Sequence, residues 1–382
     1  MQNQPFHLVF SGGGTAGHLF PGLAVADRLT ALLPRARITF CGSGKPFERR
    51  HVLRAGFDYL ALPARPLPRG AREAVAFVVE NLAGYMAAGR FLREEQVAAV
   101  IGLGGYASVP MARAAARRRV PLILLEQNAI PGKATRWLAQ HAALVCTAFE
   151  ETGQWLRGYA PIRVTGNPIR ADFAPARTEK DMPDVARVPK TAQLLVLGGS
   201  GGARALNENV PRALYKVRGQ MANWRIVHQT GEADAKATQR LYEKLDLPAT
   251  VVPFLNDVPQ LLAETDLAVC RAGGTTLAEL AVHGVPAILL PYPHAADDHQ
   301  AANAGCFAGG GGCVMIEEGA GQGRLDDQLA DMLCFLLANK ELRGRMADAM
   351  HALARPHAAE DVAELIWSVL SSRALPAELA TA

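Results

Sequence analysis

At 382 residues the chain is longer than one hydrophobic core ordinarily serves, so two domains of roughly 150 to 200 residues are expected. With 49% hydrophobic and 20% charged residues it has a soluble globular composition, and no apolar run approaches the roughly 18 to 20 residues of a membrane span. The net charge of +4 hides an asymmetry: residues 1–168 hold 20 Lys+Arg against 10 Asp+Glu, and the remainder holds 20 against 26. A basic half suits an anionic membrane, a diphosphate ligand or a solvated arginine-rich surface, while the lack of interleaved aromatics or a nucleic-acid module argues against nucleic acid. MQNQPFHLVF lacks a basic-then-apolar signal peptide, which predicts a cytoplasmic protein. Six cysteines without a CxxC pair suggest buried thiols rather than zinc ligands or disulfides.

In HLVFSGGGTAGHLFPGLAVADRLTALL a short apolar strand, Leu8 to Phe10, runs into a glycine loop (Gly12, Gly13, Gly14, Gly17) and an amphipathic helix from about Pro21. The spacing is not GxGxxG, and GSGKPFERR, after the strand Ile38 to Cys41, offers no ribose-binding carboxylate. A GxxxxGK phosphate loop is also missing, so ATP hydrolysis is not indicated. Residues 65–95 contain a helix with Val75, Val78, Val79, Leu82, Tyr85, Met86 and Phe91 among Arg69, Arg72, Arg90 and Arg93. The apolar residues alone favour packing on a sheet; rimmed by arginines, with Arg113 and Arg117 to Arg119 nearby in sequence, they also suit an interfacial membrane contact.

A second glycine loop, IGLGGYASVPMARAAA, follows the strand near Val97 to Ile101, and PLILLEQNAIPGKATRWLA sets Glu126, Gln127 and Asn128 directly after an apolar strand, where side chains point toward a ligand crevice. The rhythm breaks at Asn167 and Pro168, and residues 171–190 have the proline-rich, charged composition of a linker. It restarts with QLLVLGGSGGARALNENVPRAL and leads to the most informative stretch, Cys270 to Asn303. There the strand Leu267 to Cys270 turns at Gly273 and Gly274 into a helix that Thr275 or Thr276 can cap, with Glu279 on its first turn. The strand Ala287 to Leu290 then leads to His294, Asp297, Asp298, His299, Gln300 and Asn303. Residues 309–312, GGGG, read as a flexible loop; the chain is helical from about Arg324, and RALPAELATA is expected to fray.

Glycine loops at Gly12 to Gly17, Gly102 to Gly105 and Gly198 to Gly202 each precede a helix and expose backbone N–H groups suited to phosphate oxygens, with Ser200 and Arg170 as further donors. His18 can serve as a general base near neutrality or brace its loop. Glu279 can accept ribose hydroxyls or simply favour the helix dipole. Asp297 and Asp298, without a third ligand, do not make a metal site.

Taken in order from about residue 8 to 305, GGGTAGHLFPGLAVA, GLGGYASVP, EQNAIPGKATR, GNPIR, GGSGGARALN, CRAGGTTLAEL and DDHQAANA resemble the MurG family of peptidoglycan glycosyltransferases. The resemblance implies an α/β fold of the glycosyltransferase B type, with two Rossmann-like domains facing across a cleft. Residues 1–168 would form the acceptor and membrane-facing domain, 169–190 a linker and 191–350 the UDP-sugar donor domain. Residues 351–382 would be a helix crossing back to the first domain, with its frayed tail. The implied reaction is inverting transfer of N-acetylglucosamine from UDP-N-acetylglucosamine to the 4-hydroxyl of the muramoyl sugar in undecaprenyl-diphosphoryl-muramoyl-pentapeptide, with no cofactor or metal.

By the same resemblance Thr15, Ala16 and Gly17 lie near the donor sugar and diphosphate, and Asn128 reaches the sugar. Arg170 and Ser200 line the diphosphate, and Leu255 meets the uracil through its backbone. Gly274, Thr275, Thr276, Leu277 and Ala278 wrap the nucleotide, Glu279 holds the ribose, and Gln300 and Asn303 read the sugar hydroxyls. Gly14, Gly104, Gly105 and Tyr106 belong to the acceptor loops. His18 is the expected base, with Glu126 as its rival. Thr15-Ala16-Gly17 stands where some relatives read TGG, and His299 stands where some carry glutamine, so His299 receives no role. The implied partners include the anionic cytoplasmic face of the bacterial inner membrane, where the protein would be peripheral, and other cell-wall synthesis proteins. Rival readings are another lipid-acceptor enzyme of this architecture, a UDP-sugar epimerase, or a noncatalytic scaffold that binds UDP-sugar.

Overall fold

A computed structural model of the chain describes residues 6–68, 70–156, 158–173, 191–199, 201–255, 257–319 and 323–374. The backbone divides into unit 1, Met1–Arg170 with Pro356–Ala382, and unit 2, Ala171–Arg355.

Unit 1 opens with β1 (His7–Ser11), α1 (Ala16–Leu32), β2 (Arg37–Gly42), α2 (Pro46–Arg54), β3 (Asp58–Ala61) and α3 (Ala71–Glu94). It continues with β4 (Ala99–Gly102), α4 (Val109–Arg118), β5 (Leu122–Glu126), α5 (Lys133–Ala139), β6 (Leu144–Thr147) and β7 (Ile162–Val164). The strands form one parallel sheet in the order β3-β2-β1-β4-β5-β6-β7. Helices cover both faces, so the strands are apolar throughout rather than alternating. Leu8 and Phe10 enter one core and Val9 the other, as side chains pointing alternately to opposite faces must.

Unit 2 repeats the plan with β8 (Ala192–Leu197), α6 (Arg204–Lys216), β9 (Trp224–Gln229), α7 (Ala235–Lys244), β10 (Thr250–Val252), α8 (Val258–Ala263) and β11 (Leu267–Cys270). It is completed by α9 (Gly274–Val282), β12 (Ala287–Leu289), α10 (His299–Gly309), β13 (Cys313–Met315), α11 (Leu325–Ala338) and α12 (Lys340–Leu353). Its parallel sheet has the order β10-β9-β8-β11-β12-β13. The chain then returns to unit 1 as α13 (Ala358–Ala374), which packs on α1 and buries Val362, Ala363, Ile366 and Leu370 in its core. Burying the three larger side chains is worth roughly 5 to 9 kcal/mol, so α13 is part of the unit rather than an appendage.

Several local expectations change. Helix α1 begins at Ala16 and runs through Pro21. Proline there gives up the N–H that would reach back to the Gly17 carbonyl and crowds that oxygen, while its fixed φ suits a helix. The glycine run 309–312 is a packed junction, not a flexible loop: a β-carbon on Gly310 would lie 2.7 Å from Leu353 Cδ1, and one on Gly312 would lie 2.5 Å from Met350 Sδ. The bare backbone is what lets α12 approach. Cys41, Cys146, Cys270 and Cys313 are buried, and burial pushes the thiols of Cys41, Cys146 and Cys313 up to about 12. Cys306 is only half-buried and Cys334 is exposed. Of the expected linker, Ala171–Phe173 form a single turn with Phe173 buried, while 174–190 and the tail from 375 lie outside the described residues.

Candidate functional site

Both sheets reverse direction of growth once, and open parallel sheets bind ligands beyond the strand ends at that reversal. In unit 1 it falls between β1 and β4, paired through Ser11 and Gly102; in unit 2 it falls between β8 and β11, paired through Leu197 and Cys270. The first and second glycine loops therefore emerge side by side in unit 1. The third glycine loop and the Arg271–Gly274 turn do so in unit 2.

In unit 1 the two loops touch. Gly12, at φ 138°, lies so close that a β-carbon would sit 2.8 Å from the Gly104 carbonyl oxygen, which leaves no residue but glycine. Ser11 Oγ donates to the Ser108 carbonyl at 3.5 Å, and Ser108 Oγ donates to that of Gly105 at 2.8 Å. Gly14, Ala16 and Gly17 are half-buried around the start of α1, and Tyr106 opens a short 3-10 turn after Gly105. Thr15 occupies the N-cap position, yet its hydroxyl makes no cap: Oγ1 lies 2.9 Å from His18 Nδ1. His18 is the third residue of α1, and its ring covers the second loop, with Cδ2 3.1 Å and Nε2 3.4 Å from where a Gly104 β-carbon would be.

Glu126 ends β5, nearly buried, and its carboxylate is engaged inside its own loop. Oε1 accepts from the Asn128 backbone N–H and from Asn128 Nδ2, both at 3.1 Å, and Oε2 accepts from the Gly132 N–H at 3.1 Å. The carboxylate thus shapes the turn into α5, and the Asn128 amide is held against it. Arg170, the last residue of this part of unit 1, stacks its guanidinium 5.3 Å over the Phe20 ring of α1.

In unit 2 the loop after β8 is braced from behind. Gln229 Nε2 donates to the carbonyls of Gly199 at 2.9 Å and Pro253 at 3.1 Å, which draws the segment carrying Leu255 toward that loop. Gly202, at φ 76°, packs so tightly that a β-carbon would fall 2.1 Å from the Thr230 carbonyl oxygen. That carbonyl accepts from Asn207 Nδ2 at 2.9 Å, as does Asp234 Oδ2. With both amide protons committed, Asn207 Oδ1 accepts from His228 Nε2–H at 3.1 Å, and His228 Nδ1 accepts from the Tyr242 hydroxyl at 3.0 Å. This neutral chain is buried, and burial lowers the His228 pKa to about 3.

The Cys270 to Asn303 stretch differs from expectation in three respects. Gly273, not a threonine, is the N-cap of α9, so Thr275 and Thr276 lie inside the first turn and Glu279 falls in the second. Gly274 and Leu277 are buried, and Ala278 and Glu279 are half-buried. Asn303 is fully buried and donates to the Ala272 carbonyl at 3.1 Å, which makes it a support of the turn. Gln300 Oε1 accepts from the Tyr292 N–H at 2.9 Å, and Asp297 and Asp298 both adopt positive φ just before α10. Arg271, which sequence reasoning passed over, ties these pieces together: Nη1 donates to the carbonyls of Leu290 and Pro291 and pairs with Glu318, while the guanidinium lies 5.5 Å over Tyr292. An arginine at the end of an apolar strand was the available signal. Ser200 and Arg69 lie outside the described residues. Among the described residues no group of three or more His, Cys, Asp or Glu could hold a metal.

Helix α3 splits its apolar residues. Tyr85 and Phe91 pack on the core, but Val75, Val78, Val79, Leu82 and Met86 are each more than half exposed. A shallow groove lined by Val79, Leu82, Ala83, Met86, Ala87 and Arg90 runs along this face. Packing on the sheet therefore accounts for only part of the helix. No described helix is long and apolar enough to cross a membrane.

Comparison with known proteins matches residues 8–147 to the glycosyltransferase family 28 N-terminal domain and residues 193–362 to the family's C-terminal domain. A relative from Methylococcus capsulatus is 40% identical over 361 residues, covering 94% of this chain and 97% of its own; one from Chlorobaculum tepidum is 35% identical, covering 96% and 100%. Both are named UDP-N-acetylglucosamine–N-acetylmuramyl-(pentapeptide) pyrophosphoryl-undecaprenol N-acetylglucosamine transferase. The crystal structure of Acinetobacter baumannii MurG is similar at a TM-score of 0.74 and 30% identity, over 95% of this chain and 100% of that one. A UDP complex of Staphylococcus aureus MnaA, at 12% identity and a TM-score of 0.67, shares the fold.

Proposed function

The chain belongs to glycosyltransferase family 28 and, within it, to these N-acetylglucosamine transferases, and from that premise we infer that it moves N-acetylglucosamine from UDP-N-acetylglucosamine to the 4-hydroxyl of the muramoyl sugar of lipid I, giving lipid II. It is a hexosyltransferase with the glycosyltransferase B type of fold. The observation that carries the mechanism is the His18 ring, oriented by Thr15 above the second glycine loop. When Nδ1–H donates to Thr15 Oγ1, Nε2 is the deprotonated nitrogen and can take the proton of the attacking hydroxyl. Glu126, with three N–H donors on its carboxylate, serves as the clamp of its loop.

Departing UDP needs its growing negative charge stabilised. Unit 2 meets that need with backbone N–H groups of the loop after β8, which precedes α6, and with Ser200. Glu279 accepts from the ribose, Leu255 meets the base through its backbone, and Gln300 reads the sugar beside the turn that Asn303 supports. Thr15, Ala16, Gly17, Asn128 and Arg170 complete the donor contacts in this reading. Incubation with UDP-N-acetylglucosamine and a lipid I analogue is expected to release UDP only when the acceptor is present. UDP release that ignores the acceptor would point to a hydrolase or an epimerase side reaction and end the reading.

A lipid-linked acceptor also gives the exposed face of α3 a role. In this reading Val75, Val78, Val79, Leu82 and Met86 enter the lipid interface, Arg72, Arg90 and Arg93 meet anionic headgroups, and the protein sits peripherally on the cytoplasmic face of the inner membrane. Binding to phosphatidylglycerol-containing vesicles is expected to weaken as salt rises, and Arg72→Glu should weaken it by roughly tenfold. Binding indifferent to both changes would contradict this placement.

A further inference from the structure

Gln127 follows β5 directly and is 4% exposed, and the mechanism above does not use it. Its Nε2 donates to the Leu125 carbonyl at 3.5 Å, which turns Oε1 the other way, and Oε1 is buried with no hydrogen-bond partner among the described residues. Reversing the amide would not help, because Oε1 would then face the Leu125 carbonyl, acceptor against acceptor. A β-carbon on Gly104 would lie 3.8 Å from this oxygen and 3.4 Å from His18 Nε2, so the two groups look onto the same glycine of the second loop. A buried carbonyl without a donor destabilises the free protein, and a ligand that brings the donor removes that penalty.

We propose that Gln127 is an acceptor-binding, specificity-determining residue whose Oε1 accepts a hydrogen bond from the sugar hydroxyl next to the one that reacts. The inference rests on the transfer reading above. The attacking 4-hydroxyl has one proton, which goes to His18 Nε2, so it cannot also donate to Gln127. On a muramoyl ring the oxygen at C3 is an ether and carries no proton. The 6-hydroxyl is the donor that remains beside the 4-hydroxyl. Held by Gln127, it fixes the rotation of the ring and presents the 4-hydroxyl to the imidazole.

The test compares a lipid I analogue with its 6-deoxy counterpart, using the wild-type protein and Gln127→Leu, which keeps the side chain's bulk and removes the carbonyl. The wild-type enzyme should prefer the 6-hydroxyl acceptor by about 10- to 100-fold in kcat/KM, and Gln127→Leu should lose that preference. The donor KM should not move, and Tm should hold or rise because an unsatisfied carbonyl has gone. Discrimination retained by the variant, or absent from the wild type, overturns the proposal. So does a fall in Tm accompanied by a rise in donor KM, which would make Gln127 a part of the scaffold. A wild-type enzyme that binds UDP-N-acetylglucosamine yet turns over neither acceptor would instead remove the transfer reading on which the proposal stands.

Discussion

Replacing His18 with alanine is expected to lower acceptor-dependent UDP release by about 100- to 10,000-fold while leaving UDP-N-acetylglucosamine binding intact, the range a positioned general base contributes. The expectation follows from geometry on one unit. The ring is the third residue of α1, its Nδ1 is 2.9 Å from Thr15 Oγ1, and its other edge covers Gly104. Thr15→Val should reproduce part of the loss, because the ring stays but loses the hydroxyl contact at Nδ1 that orients it. Calorimetric titration with UDP-N-acetylglucosamine separates chemistry from donor binding. Near-wild-type turnover in His18→Ala would remove the imidazole from the reaction and leave its contact with the loop as a brace.

The second large effect is on acid stability. His228 is neutral in the fold, with its pKa lowered by burial from 6.5 to about 3. Above pH 6.5 it is uncharged whether the chain is folded or not, and the stability of the buried network is fully present. As pH falls below 6.5 the unfolded chain takes up a proton that the folded one refuses, so stability drops by roughly 1 to 1.5 kcal/mol per unit, of order 5 kcal/mol by pH 3. His228→Gln should be less stable than wild type at pH 7.5, since it disturbs the contacts with Asn207 and Tyr242, but the gap should close as the buffer is taken toward pH 4.5. Urea midpoints across that window test it. A gap of constant size would show that His228 does not titrate with unfolding.

Much of this arrangement was legible in the sequence. The strand Leu267 to Cys270 and the glycine loops follow from apolar runs and from the need for positive φ, and both are properties of neighbouring residues. The start of α1 was not, because Pro21 reads as a first-turn residue although the helix tolerates it five residues further in. Thr275 and Thr276 look like caps, but Gly273 already has the extended conformation a cap requires. The run 309–312 reads as loose until Met350 and Leu353 are seen to need its bare backbone. Asn303 as a turn support, Arg271 as a tie and Gln127 as an unsatisfied acceptor depend on contacts made by folding, which spacing along the chain does not encode.

The chain leaves unit 1 after Arg170 and returns to it at Pro356. Synthesis runs from the amino end, so the residues of unit 2 are all available while unit 1 still lacks α13. Until that helix emerges, the face of α1 that receives Val362, Ile366 and Leu370 stays open to water. The segment made first is therefore the one completed last, and during that interval its uncovered apolar face is what a nascent-chain chaperone would recognise.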